Sequence, residues 1–200
     1  MGVTTTGTIS FYVILLYMPT FARTQLQLPL ADAFIAQAIG LVCMIVVEPI
    51  SGAVSDRIGR KPVIIGSLLL LLGFVYPLFD WVRDAPSFSR LVFMQMALCF
   101  IVGIFHGPIS TAVAEQFPTA ARSTGLGIGY NLAVAIFGGF APFFVTWLIE
   151  VTGSPIAPSL YVMFGAAVGL VATFFLVEGA HTARLVAQDG AASRPGLSAE

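Results

Sequence analysis

Charged residues are scarce in this sequence. Only 10% of the 200 residues are Asp, Glu, Lys or Arg, whereas 58% are hydrophobic, and the mean hydropathy is +0.94. A soluble domain carries about 25% charged residues, so a water-facing surface cannot be built from this composition. The scarcity of charge therefore predicts that lipid surrounds most of the chain. The formal net charge of −1 also excludes a nucleic-acid-binding protein, which needs a basic surface.

Cysteine and histidine are also rare. Cys43 and Cys99 lie inside apolar runs without a partner at metal-ligand spacing, which indicates small core residues rather than ligands or a disulfide. His106 and His181 likewise lack metal partners, so we expect neither a metal nor a cofactor. The sequence shows no nucleophile with a base at suitable spacing, which argues against an intramembrane enzyme. Because no Lys or Arg precedes Arg23, a cleavable signal peptide is not expected.

Six apolar segments are long enough to span a bilayer. A hydrocarbon core about 30 Å thick requires about 20 mostly apolar residues in a helix. We expect helices over about residues 3–22, 31–55, 62–80, 91–114, 124–149 and 156–177. They form one transmembrane domain over residues 1–180, and the polar residues 181–200 are expected to be a disordered cytoplasmic tail. The predicted fold class is an all-α membrane protein, a bundle of six transmembrane helices.

The basic residues between these segments predict the orientation. One side of the membrane receives six of them: Arg57, Arg60, Lys61, Arg122, Arg184 and Arg194. The other side receives three: Arg23, Arg83 and Arg90. Because Lys and Arg are enriched in cytoplasmic loops, both chain ends are expected in the cytoplasm.

Glycine and proline occur inside the predicted helices. Three pairs of glycines are spaced four residues apart, which lets helix backbones approach closely: Gly103 with Gly107, Gly125 with Gly129, and Gly165 with Gly169. Three prolines are expected to interrupt helices two, four and five: Pro49, Pro108 and Pro142. Close packing and flexing of the helices during function both explain these residues, and the sequence leaves the choice open.

The link between helices two and three is the most informative motif. It reads Gly-Ala-Val-Ser-Asp-Arg-Ile-Gly-Arg-Lys-Pro over residues 52–62. Gly52 permits close packing at a helix end, Gly59 suits a turn with positive φ, and Pro62 is suited to open the next helix. Taken alone, this segment is a short basic hairpin that fixes the topology.

The pattern Gly-x-x-x-Asp-Arg-x-Gly-Arg-Lys resembles the signature loop of the major facilitator superfamily. It follows the second helix, as it does in each six-helix half of that superfamily. Further segments resemble the C-terminal half of the metabolite:proton symporters: residues 17–21, 115–122, 124–132 and 135–139. Within that family, the Asp-Trp-Val-Arg-Asp-Ala-Pro stretch at 80–86 and Phe-Gly-Gly at 137–139 are most similar to citrate–proton symporters. The resemblance covers about residues 7–178.

The resemblance implies half of a twelve-helix fold with a transport function. A complete member would be a secondary active transporter in the bacterial inner membrane, using the proton gradient to move an organic acid such as citrate by alternating access. Substrate sites in such folds lie near the membrane midplane between the repeats. The chain would therefore supply one wall of the site, and an N-terminal six-helix half or a second copy would supply the other. The alternative is a truncated membrane fragment that does not transport.

The resemblance also implies a cytoplasmic charge network that breaks and re-forms as the transporter alternates. Its members are the signature-loop residues and two residues from the link between helices four and five: Gly52, Asp56, Arg57, Gly59, Arg60, Lys61, Glu115 and Arg122. The alternative is that these are solvated loop charges, whose exposed pairs contribute about 0–1 kcal/mol each.

Polar residues inside the spans are candidates for binding substrate or protons. Glu48 is the only acid well inside a predicted span, and His106 titrates near physiological pH, so both are candidates for proton coupling. The candidates for the substrate cavity are Tyr17, Thr20, His106, Tyr130 and Asn131. Structural roles remain open for all of them, because Glu48 can reach water at the helix end and the others can form interhelical hydrogen bonds worth about 1 kcal/mol.

Overall fold

The computed structural model describes residues 2–114 and 122–175, and every regular element in these two ranges is helical. Within these ranges, six helices are long and apolar enough to cross a membrane. We label them α1 (Gly2–Thr24), α2 (Leu30–Ile58), α3 (Arg60–Asp84), α4 (Phe88–Ala114), α5 (Gly127–Thr152) and α6 (Ala157–Phe174). The helix that contains α5 begins at Arg122. The predicted all-α fold with six candidate spans is confirmed.

The ends of the helices differ from the predicted segments. α3 extends beyond the predicted 62–80 at both ends: Gly59 alone separates it from α2, and it continues to Asp84. Gly59 has φ 99° and ψ 152°, so the predicted turn with positive φ is confirmed. α6 ends at Phe174, and residues 176–200, with the predicted tail and His181, lie outside the described residues.

α1 is the innermost helix, and α2 and α5 are the most exposed. α1 packs against α6 and also contacts α4 and α5, while α2 packs along α4 and α3 lies against α4 and α6. The apolar side chains that α2 and α5 expose are typical of helices that face lipid or another apolar protein surface. The bundle is therefore built around α1, and this helix contributes to the site described below.

Glycines make the closest contacts between helices. A Cβ atom at Gly107 of α4 would lie 2.5 Å from the carbonyl oxygen of Glu48 on α2, and a Cβ at Gly169 of α6 would overlap Thr6 of α1. The Thr6 hydroxyl donates a hydrogen bond of 2.5 Å to the carbonyl oxygen of Gly165. Two of the three glycine pairs therefore allow close packing as predicted. For the third pair, the surroundings of Gly125 lie outside what the structure describes.

The predicted interruption by proline is wrong for two helices. α2 continues through Pro49, and α4 continues through Pro108. A proline leaves the carbonyl four residues earlier without its N–H partner, and for Pro108 this is the carbonyl of Ile104. The Ser51 hydroxyl of α2 donates a hydrogen bond of 2.6 Å to this oxygen. The neighbouring helix thus satisfies the freed carbonyl, and α4 remains continuous.

Two helices contain a π segment, in which a carbonyl pairs with the N–H five residues later. The segment covers Tyr12–Tyr17 in α1 and Val134–Gly139 in α5. After its π segment, α5 turns at Phe140 and resumes as the helical stretch Ala141–Thr152. The interruption predicted near Pro142 is therefore confirmed.

Candidate functional site

A cavity of about 790 Å³ lies between α1, α4 and α5. This volume falls in the range of small-molecule sites, about 300–1,000 Å³. The lining residues are Thr4, Gly7, Thr8, Phe11 and Tyr12 of α1, His106, Ile109, Ser110 and Val113 of α4, and Ile128, Gly129, Tyr130 and Val134 of α5. The wall combines hydroxyl groups, aromatic rings and one imidazole on an apolar background. Such a wall suits a small polar solute inside a membrane domain.

The polar residues of α1 reach the cavity because they repeat at helical spacing. Thr4, Thr8 and Tyr12 lie four residues apart, which places them along one side of the helix. The Thr8 hydroxyl donates a hydrogen bond of 3.0 Å to the carbonyl oxygen of Thr4. Gly7 has no side chain, so the imidazole of His106 on α4 can approach the backbone of α1. A Cβ atom at Gly7 would lie 3.5 Å from His106 Nε2.

His106 is the one imidazole among the described lining residues. Its Nδ1 lies 3.1 Å from the carbonyl oxygen of Val102, which favours the tautomer that carries the hydrogen on Nδ1. Nε2 is then an acceptor on the Gly7 side of the ring. The ring packs against Phe105 with centroids 5.6 Å apart and against Phe11 at 6.4 Å. Since these contacts fix the ring, Nε2 is the nitrogen left to exchange a proton or to bind a ligand.

Two of the five predicted cavity residues line the cavity, namely His106 and Tyr130. Tyr17 is buried and only 6% exposed, whereas Thr20 and Asn131 are exposed. The Asn131 amide donates a hydrogen bond of 2.7 Å to the carbonyl oxygen of Gly127 within its own helix. The structure therefore places Tyr17, Thr20 and Asn131 outside the lining.

Sequence reasoning missed the polar side of α1. Thr4, Thr8 and Tyr12 line the cavity, and their regular spacing is visible in the sequence. That spacing marks one side of a helix, but it does not show whether the side faces a cavity or a packed neighbour.

Glu48 lies on α2, a helix that contributes no lining residue. The backbone carbonyl of Glu48 closely approaches Gly107 of α4. Glu48 as a whole is partly exposed. The structure therefore gives the candidate proton carrier Glu48 no contact with the cavity. Among the described parts of the chain, no group of three or more His, Cys, Asp or Glu residues could hold a metal ion.

The signature loop joins α2 to α3 and lies beside the end of α6. Arg60 Nη2 lies 3.5 Å from Asp56 Oδ1, one helical turn earlier. Lys61 Nζ lies 3.5 Å from the carbonyl oxygen of Phe174. A lysine at this position also interacts favourably with the negative end of the α6 dipole. The loop thus links the start of α3 to the end of α6.

The structure describes the other members of the predicted charge network less completely. Gly52 packs at the contact between α2 and α4, where its Cβ would lie 3.6 Å from the Gly107 carbonyl oxygen, and Arg57 is exposed. Glu115 lies outside the described residues, and only the helical backbone of Arg122 is described.

These features define a class of protein, a helical membrane bundle with a cavity between three of its spans and several polar groups on an apolar wall. Residues 1–197 match the family model of the Major Facilitator Superfamily, and the chain belongs to this family. The predicted family resemblance is confirmed, and it groups the chain with transporters rather than enzymes.

The curated relatives are transport proteins. The chain is 37% identical over 169 residues to the citrate-proton symporter of Salmonella typhi, an alignment that covers 84% of this chain and 39% of the relative. The citrate-proton symporter of Klebsiella pneumoniae is also 37% identical, with 38% of its length covered. The ectoine/proline transporter ProP of Corynebacterium glutamicum is 34% identical, covering 84% of this chain and 33% of the relative. The chain thus spans less than two fifths of the length of these relatives.

Proposed function

We propose that the chain forms one half of a proton-coupled symporter for an organic acid such as citrate. The observation that carries this proposal is the cavity between α1, α4 and α5, with His106 and several hydroxyl groups on its wall. The similarity to two citrate-proton symporters supports a carboxylate as the solute. The lower identity to an ectoine/proline transporter makes such zwitterions the competing solute class.

The chemistry of the wall suits binding of a carboxylate together with a proton. Thr4, Ser110 and Tyr130 can donate hydrogen bonds to carboxylate oxygens. The described lining contains no Lys or Arg, so a protonated His106 is the group that supplies positive charge; Tyr12 and Tyr130 are the other titratable residues there. A protonated imidazole donates a charge-assisted hydrogen bond from Nε2, whereas a neutral imidazole with its hydrogen on Nδ1 does not. Anion and proton therefore bind together, and this linkage couples their transport.

A second six-helix half completes the site in this proposal, either an N-terminal half or a second copy of the chain. Alternating access then moves the two halves about the shared cavity, and the charges around Asp56, Arg60 and Lys61 separate when the cytoplasmic side opens. The bundle lies in the inner membrane with both chain ends in the cytoplasm. The cluster of basic residues around the signature loop supports this orientation.

Uptake of labelled citrate tests the proposal. The chain is expressed alone, or together with the N-terminal six-helix half of the Salmonella typhi relative, in cells that lack citrate uptake. We expect uptake with the partner half, and we expect a protonophore to abolish it. Absence of uptake in every combination would leave the non-transporting fragment as the better description.

A matched pair of variants tests the role of His106. His106→Ala removes the imidazole from the cavity and should lower uptake strongly. Asn131→Ala removes a polar side chain of α5 that lies outside the cavity, and it should retain uptake at equal expression. Equal rates for the two variants would remove His106 from the mechanism.

A further inference from the structure

Two polar side chains that do not line the cavity donate hydrogen bonds to the π segments of α1 and α5. Gln95 of α4 is fully buried, and its Nε2 donates a hydrogen bond of 2.8 Å to the carbonyl oxygen of Ile14 in the π segment of α1. The Tyr161 hydroxyl of α6 donates a bond of 3.0 Å to the carbonyl oxygen of Phe137 in the π segment of α5. Each π segment is thus bonded to a side chain of a neighbouring helix.

The two acceptor carbonyls share one position relative to a proline. In a π segment the carbonyl of residue i pairs with the N–H of residue i+5. The residue five positions after Ile14 is Pro19, and the residue five positions after Phe137 is Pro142. Because proline has no N–H, each carbonyl lacks its partner in its own helix when the helix adopts the π register. The side chain from α4 or α6 supplies the missing donor.

The same donors distinguish the π register from the α register. In an α-helix, a proline frees the carbonyl four residues earlier, which is Leu15 in α1 and Gly138 in α5. Gln95 and Tyr161 instead donate hydrogen bonds to the carbonyls one residue earlier, those of Ile14 and Phe137. Their hydrogen bonds therefore stabilise the π register specifically.

The packing around Gln95 shows that its position is closely fitted. A Cβ atom at Gly40 of α2 would lie 2.7 Å from Gln95 Cγ, so glycine at this position makes room for the side chain. Gln95 Oε1 is buried and has no hydrogen-bond partner among the described residues. Burying an amide costs free energy unless its polar groups form hydrogen bonds. The Ile14 carbonyl is the oxygen that accepts a hydrogen bond from the Gln95 amide.

The register of each helix determines which side chains reach the cavity. One residue corresponds to about 100° of rotation in a helix, so loss of a π segment would rotate the residues before it relative to those after it. Thr8 precedes the π segment of α1, and Tyr130 precedes that of α5; both line the cavity. We propose that Gln95 and Tyr161 are positioning residues that hold α1 and α5 in the π register and so keep Thr8 and Tyr130 on the cavity wall.

Thiol labelling of the 200-residue chain in membrane vesicles tests this proposal without any transported solute. A failure of the symporter proposal would therefore leave the result interpretable. Thr8→Cys reports on α1, Tyr130→Cys on α5, and Ser110→Cys on the α4 wall as a control. The probe is a small polar methanethiosulfonate. The native Cys99 is buried and the native Cys43 is partly exposed, so the parent chain sets the background rate.

Gln95→Met keeps the length of the side chain and removes the donor, while Tyr161→Phe removes only the hydroxyl. We expect Gln95→Met to lower labelling at Thr8→Cys by about three- to tenfold, the effect of one interhelical hydrogen bond, with little change at Tyr130→Cys. Tyr161→Phe should give the reverse pattern, and Ser110→Cys should be unaffected by either. Gln95→Glu should restore labelling at Thr8→Cys in acidic buffer, where a protonated carboxyl can donate a hydrogen bond.

This crossed pattern separates positioning from a general loss of structure. A misfolded variant would change labelling at all three reporters together. Equal changes at all reporters, or no change at any of them, would overturn the proposal.

Discussion

The hydrogen bond from Ser51 to Ile104 predicts an energetic coupling between Ser51 and Pro108. The Ser51 hydroxyl donates at 2.6 Å to the carbonyl that Pro108 leaves without its helical N–H. Ser51 is 6% exposed, so water cannot readily replace the lost donor. Ser51→Ala should therefore lower the free energy of unfolding by about 1 kcal/mol, the scale of an interhelical hydrogen bond in a membrane.

Restoring the N–H at position 108 should remove most of this cost. In a Pro108→Ala background the Ile104 carbonyl can bond within α4, so Ser51→Ala should then cost only a few tenths of a kcal/mol. The difference between the two costs is the coupling energy of a double-mutant cycle. We expect a coupling energy of about 1 kcal/mol, measured by reversible unfolding in mixed micelles and followed by circular dichroism.

Ser67→Ala is the matched control for this cycle. Ser67 is buried in α3, and its hydroxyl donates a bond of 2.8 Å to the Ile64 carbonyl oxygen of the same helix. Since no proline removes the helical partner of Ile64, this variant should change the free energy of unfolding by less than about 0.5 kcal/mol. An equal cost of Ser51→Ala with and without Pro108 would refute the role assigned to the bond.

Two further predictions concern the packing glycines and the signature loop. Gly169→Ala places a Cβ against Thr6 of α1 and should lower the free energy of unfolding by about 1–3 kcal/mol. Gly73→Ala, whose Cβ would meet no atom within 4 Å, should stay within about 0.5 kcal/mol in the same assay. Asp56→Asn removes an ion pair with Arg60 whose carboxylate partner is exposed, so it should change the free energy of unfolding by less than about 1 kcal/mol while lowering citrate uptake several-fold. Unchanged uptake in this variant would exclude a gating role for the pair.

The spans and the signature turn could be predicted because their causes are local. An apolar run of sufficient length marks each helix, and Gly59 provides the positive φ that the link between α2 and α3 requires. The continuity of α4 through Pro108 could not be predicted in this way. It depends on Ser51, which lies on a different helix and is brought to Ile104 only by packing.

The cavity was only partly predictable for the same reason. His106 and Tyr130 are candidates from the sequence because they are polar residues inside spans, and the structure places both on the lining. Tyr17 satisfies the same sequence criterion but is buried in the bundle. Glu48 also satisfies it, but it lies on a helix that does not reach the cavity. The sequence identifies polar positions, whereas the arrangement of the neighbouring helices determines which of them share a space.

Coupling of citrate to protons is tested most directly by recording internal pH while citrate enters a vesicle. Vesicles that contain the chain and its partner half, with a trapped pH-sensitive dye, receive an inward citrate gradient without an imposed pH gradient. We expect the interior to acidify as citrate enters, and we expect His106→Ala to abolish this citrate-driven acidification. Citrate influx without any acidification would contradict proton-coupled symport through this cavity.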